Sequence, residues 1–112
     1  MRKTFLTLVA LHLAAVAFAQ MWTTFNINNS EISGNTILAT TIDLKNNKYI
    51  GTNLGLCRLT GKVWTDFSMF NEKLKDEFVN CLMVDPKGTL WIGTDNYGVI
   101  EFNGSKWTEH SK

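Results

Sequence analysis

Two histidines, two cysteines and a scatter of carboxylates are the side chains of this chain from which catalysis or metal binding would have to be built. His12 falls in an apolar N-terminal stretch, and His110 stands near the end of the chain, a frayed position that serves a Ser/His/Asp or Cys/His arrangement poorly. Cys57 and Cys81 with one histidine lack both the number and the spacing of a metal site. Asp95-Asn96 does not open a calcium loop, because the alternating oxygen ligands and the closing glutamate are missing. Gly93 and Gly98 read as turn glycines, not as a phosphate cradle between a strand and a helix. These residues predict no catalytic group, no metal and no cofactor, and hence a protein that is not an enzyme.

Address and charge narrow the class further. "MRKTFLTLVALHLAAVAFAQ" has a basic start at Arg2 and Lys3, an apolar run from Phe5 to Val16, and Ala17-Phe18-Ala19 as a cleavage signal before Gln20. The run is shorter than the roughly 20 residues a spanning helix needs, so a cleaved signal peptide over residues 1–19 is expected. Without Arg2 and Lys3 the basic side chains fall from eleven to nine, against ten acidic ones. They form no basic stripe, which argues against nucleic acid as a partner. No later apolar run is long enough for a membrane span. The expected location is exported, periplasmic or extracellular.

The chain then repeats itself. Slid by about 42 residues, "WTTF" at 22–25 meets "WTDF" at 64–67, Asp43 meets Asp85, and Ile50-Gly51-Thr52 meets Ile92-Gly93-Thr94. Past one inserted residue at Tyr97, Gly55 meets Gly98, Gly61 meets Gly104 and Trp64 meets Trp107. Softer pairs agree in kind: Ile37 with Val79, Ile42 with Val84, Tyr49 with Trp91, Leu59 with Phe102.

Each unit reads as four short strands separated by turn signals. In the second, "FVNCLMVD" stops at "DPKG", where Pro86 and Gly88 suit a type I turn. "TLWIGT" runs to "DNYG", "GVIEF" to "NG", and "KWTEH" supplies the fourth strand. The first unit follows as "TILATTID", "KYIGT", "GLCRL" and "KVWTDF". Four strands in about 42 residues match a propeller blade, whose two faces are both covered by neighbours; that accounts for the near-continuous apolar runs "CLMV" and "LWI". The predicted fold is all-β: two four-stranded antiparallel propeller-type blades, an incomplete propeller, after the signal peptide. Residues 20–63 are assigned to an N-terminal outer strand ("MWTTF") and the first blade, residues 64–112 to the second.

Within that frame most singled-out residues have structural roles. Trp22, Trp64, Trp91 and Trp107 are expected to pack between blades, and Gly51 and Gly93 mark the repeat. Asp43 and Asp85 are expected to cap the turn after each first strand. Thr52 and Thr94 are expected to pair across strands. Cys57 and Cys81 replace apolar residues and are expected to be buried, with a disulfide as the other reading. A binding surface, if present, belongs on the rim that gathers the loops joining second to third and fourth to first strands. Its candidates are Asn53 and Leu54, Asp95, Asn96 and Tyr97, Asn28 to Ser33, and Asn71 to Glu77, the last with a short helical turn through Lys73 to Glu77.

"DPKGTLWIGTDNYGVIEFNG" and "IGTNLGLCRLTG" resemble the two-component regulator propeller repeat, which carries D-x-x-G-x-L-W-I-G-T, then G-L and an aromatic-x-G ending. The first unit departs from it at Asn46 for Gly and at Tyr49 for Trp, and the usual G-L-P/S-x-N loop is replaced by "NINNSEISGN" and "SMFNEKLKDEF". The resemblance implies the N-terminal part of a bacterial periplasmic sensor propeller of the hybrid two-component type, with glycans as the ligand class. It covers blades alone, so kinase chemistry is not carried over.

Two blades leave apolar faces bare, whereas closed propellers have at least four. The first expectation is a fragment of a larger sensor whose further blades cover them. The others are a ring of identical copies, a self-assembling carbohydrate-binding module, and a lone twisted sheet.

Overall fold

The computed structural model describes residues 21–112; the predicted signal peptide lies outside the described residues. The protein is all-β, with two four-stranded antiparallel sheets, each a simple meander. The first comprises β1 (Ile37–Ile42), β2 (Lys48–Thr52), β3 (Gly55–Thr60) and β4 (Val63–Asp66); the second comprises β5 (Val79–Val84), β6 (Leu90–Thr94), β7 (Val99–Phe102) and β8 (Trp107–His110). β4 belongs to the first sheet, so the unit boundary expected at residues 63/64 cuts a strand and moves past Asp66.

The expected N-terminal outer strand is not formed: residues 21–26 have no strand pairing and Trp22 is 94% exposed. A strand exists only against a hydrogen-bonding edge, and neither described sheet includes these residues. Trp22 therefore packs between no blades. Phe25 does find a place, edge-on against Trp64 with ring centroids 5.3 Å apart.

Local chemistry is duplicated along with the sequence. Both first strands slip register at the same point, between Ile37 and Ala39 and between Val79 and Cys81. Such a bulge bends the strand and increases its twist. Both first turns need a left-handed residue, with φ of +66° at Asn46 and +84° at Gly88. Asparagine is among the few side chains that accept this conformation, so the departure at Asn46 leaves the turn intact.

The blades pack face to face. Tyr49 and Leu56 of the first meet Val79, Leu90, Ile92 and Ile100 of the second, with Phe67 and Leu74 from the connection completing the core. Burying each such Leu or Ile contributes about 1.5–3 kcal/mol. The closest approach is at Gly51, where an added Cβ would lie 2.6 Å from Val79 Cγ1. Gly51 and Gly93 thus sit inside strands β2 and β6; Gly98, with φ +68°, is the glycine that serves a turn. Trp107 joins this interface against Phe67 at 5.8 Å.

Candidate functional site

The rim loops do come together, and the connection between the blades is what gathers them. After β4 the chain makes two short 3-10 turns, Phe67–Met69 and Glu72–Leu74, capped by Asp66 and Asn71. The helical turn expected at Lys73 to Glu77 is therefore shorter and earlier. Its cause is Asn71, whose side chain accepts from the Lys73 N–H at 3.1 Å. Leu74 drops into the core, and its carbonyl oxygen lies 2.7 Å from where a Cβ on Gly55 would stand. The β2–β3 turn is thereby locked to the connection.

The β6–β7 turn is tied to the same segment. Glu77 is only 3% exposed, and its carboxylate accepts from Asn96 Nδ2 at 3.0 and 3.2 Å and from the Phe78 N–H at 3.1 Å. Asp95 donates its N–H to the Phe78 carbonyl at 3.2 Å, and its carboxylate accepts from the Asn80 amide. Tyr97 is half-buried against the core, with Lys73 Nζ 5.7 Å from its ring centroid. Lys73 in turn pairs with Glu109.

Of the predicted rim candidates, Asp95, Asn96 and Tyr97 thus share one cluster with the connection. Asn53 lies on the other blade's hairpin, donating its N–H to the Thr36 carbonyl at 3.2 Å, with its side-chain Oδ1 buried and unpartnered beside Gly34. Glu77 belongs to the predicted rim stretch Asn71 to Glu77, but its burial is not legible in the sequence. It stands between Asp76 and Phe78, and the amide that bonds it comes from Asn96 in a distant turn, so no local pattern reveals it.

Thr52 and Thr94 pair across strands with Ile37 and Val79, while their hydroxyls serve the turns that follow. Each hydroxyl closes its own hairpin: Thr52 Oγ1 donates to the Gly55 carbonyl at 3.1 Å and accepts from Leu54 N–H, while Thr94 Oγ1 donates to the Gly98 carbonyl at 2.8 Å and accepts from Tyr97 N–H. Thr52 also contacts the Ser33 hydroxyl at 3.0 Å, which brings the 28–33 loop to the same rim.

The two aspartates lie at the opposite ends of the strands. Asp43 accepts from the backbone of Lys45 and Asn47 and, through Oδ2, from the Tyr49 hydroxyl at 3.1 Å. Asp85 accepts from the backbone of Lys87 and Thr89 and, through Oδ2, from Trp91 Nε1 at 3.0 Å. Burial pushes the Asp43 carboxyl up, but the bonds from Asn47, Tyr49 and Lys45 outweigh it and leave the pKa below its ordinary value. The Trp91 and Thr89 bonds lower that of Asp85. Burial and the Asp43 carboxylate raise the Tyr49 phenol. Trp91 also stacks on His110, whose ring bonds Glu101 at 2.6 Å. His110 ends a paired strand here, although its side chain stays exposed.

Cys57 is fully buried and burial raises its thiol; Cys81, contrary to expectation, is exposed on β5. Both are free. Among the described residues no cluster of His, Cys, Asp or Glu is placed to hold a metal ion, and no helix is long and apolar enough to cross a membrane.

A family model described as two component regulator propeller matches residues 73–96. The match runs from the connection through β5 and β6 into the rim turn. No curated protein and no solved structure matches the chain.

Proposed function

We propose that this chain, which carries a two component regulator propeller repeat at residues 73–96, supplies blades to a periplasmic ligand-sensing domain of a two-component regulator and performs no catalysis itself. The observation that carries the reading is the rim cluster. The matched repeat ends in a turn that the buried Glu77 carboxylate fastens to the inter-blade connection. A ligand touching Asp95 or Tyr97 would therefore press on the joint between blades. The carboxylates of Asp43, Asp85 and Glu77 are all committed to holding turns, a use that suits a scaffold. A glycan is the ligand class this reading favours, approached through Asn53, Asp95, Asn96 and Tyr97.

An oligosaccharide array tests the ligand. Retention of the purified chain on a defined subset, lost in Tyr97→Ala and Asp95→Ala, supports the rim; retention unchanged in both variants, or none at all, rejects it. Fusion of alkaline phosphatase after Lys112 tests the address: activity in intact bacteria, with processing before Gln20, is expected, and an inactive, unprocessed fusion rejects export.

A further inference from the structure

The joint between the blades is one occupied instance of a contact whose two halves the chain carries twice. On the first blade, Tyr49 stands opposite Arg58 and Gly51 opposite Leu56, so these four share the face turned to the second blade. On the second blade, Leu90 is paired with Phe102 and Ile92 with Ile100 on the face that receives them. The repeat places Trp91, Gly93, Val99 and Glu101 as the unused version of the first half, and Lys48, Ile50, Cys57 and Leu59 as the unused version of the second.

Both unused halves are apolar and only partly covered: Cys57 and Leu59 are buried on the first blade's far face, where Phe25 and Ile32 also line the groove. A groove of about 610 Å³ runs along the far face of the first blade, lined by Ile42, Lys48, Ile50, Leu59 and Trp64. The far face of the second exposes Met83 (56%) and Val99 (39%). Charge distinguishes them. In the occupied joint Arg58 shares a cleft with Phe102, the cross-strand partner of Leu90. Glu101 stands in the place of Arg58, and Lys48 in that of Leu90. Transposed, Glu101 comes to lie beside Leu59 and its cross-strand partner Lys48. The chain thus carries opposite charges at the matching points of its two far faces.

From this we infer that the occupant of the first blade's far face is the second blade of another copy, joined head to tail. The inference rests on the blade reading above. A head-to-tail contact closes only as a ring, and about two to four copies supply the roughly four to eight blades of a closed propeller.

One segment stands in the way. Phe25 lies against Trp64 at 5.3 Å and 74°, as Phe67 lies against Trp107 at 5.8 Å and 75°. The repeat puts His110 of the incoming copy in the place of Phe25. Both cannot occupy it. Residues 22–25 have no strand pairing, so they yield at little cost, and they act as a removable cover that competes with assembly.

Sedimentation velocity of the purified chain over a concentration series tests this. A discrete oligomer is expected. Lys48→Glu and Glu101→Lys each weaken it about tenfold, and the double exchange restores it, because unlike charges again meet at every joint. Phe25→Ser strengthens assembly several-fold by freeing the place His110 needs. Weaker assembly of Phe25→Ser would overturn the inference, since residues 22–25 would then be completing the partner's sheet. So would failure of the double exchange to restore association. Hydrogen exchange separates the two readings: a monomer with protected β2, β3, β6 and β7 amides overturns assembly and leaves the blades standing, while loss of that protection overturns both.

Discussion

Val79 occupies the space that a side chain on Gly51 would need: an added Cβ would stand 2.6 Å from Val79 Cγ1 and 2.9 Å from the Val79 carbonyl oxygen. The blades meet at backbone distance there, and the obstacle includes main chain, which cannot rotate away. Gly51→Ala should therefore cost about 1–3 kcal/mol through overpacking. At the equivalent Gly93 the nearest atom is Cys81 Sγ, the end of an exposed side chain free to turn. Gly93→Ala should cost less than Gly51→Ala, and urea unfolding of the two variants side by side checks the order.

The turn aspartates give the fold an acid limit. Both carboxyls lie below their ordinary value of 3.8, so each contributes stability that is present well above that value and is lost as pH falls through it to the lower folded-state pKa. Trp91→Phe removes the indole N–H that Asp85 accepts. The Asp85 carboxyl should then titrate at higher pH and acid unfolding should begin earlier, as followed by carboxyl NMR titration and circular dichroism. Tyr49→Phe should do the same to Asp43.

Asn96 offers a separate test, because its amide holds a nearly buried carboxylate. In Asn96→Ala, Glu77 keeps only the Phe78 N–H as a partner, and stability should drop by about 1–3 kcal/mol. Asn96→Asp should be worse, setting a second negative charge against the first. Chemical denaturation measures both, and a neutral Asn96→Ala would show that this residue is free for other contacts.

The cysteines should separate kinetically. Cys81 is exposed and should react with a neutral alkylating reagent in the folded protein, whereas Cys57, fully buried with its thiol raised, should react only on unfolding. Mass spectrometry of partially labelled chain reads the order directly.

The strands and both first turns were legible because they are local: apolar runs, Asp before a tight turn, and Gly or Asn where φ turns positive all sit within a few residues of one another. The partner of each aspartate was half legible. The Asp43/Asp85 and Tyr49/Trp91 columns were visible, but their hydrogen bond joins a turn to the following strand and appears only when the meander is folded. Phe25 misled. It aligns with Phe67, which suggested a strand, yet alignment carries over a side chain's packing and not the edge that a strand must pair with. Thr52 and Thr94 do pair across strands, with Ile37 and Val79, but their hydroxyls bond the nearer carbonyls of Gly55 and Gly98 at the tight turns, a detail that strand pattern alone does not carry. Of the rim, the loops were foreseen but not that Glu77, Asn96 and Tyr97 are partly spent on holding it together.

Among the described residues no backbone hydrogen bond joins one sheet to the other; every ladder closes within its own meander, and the two are held together by packing. A unit can therefore be duplicated or deleted in a gene without breaking any ladder, and only the side chains at the new seam must be refitted. Copy number in such a chain is free to drift, and the lone oddities of each unit, such as the extra Tyr97, can accumulate one module at a time.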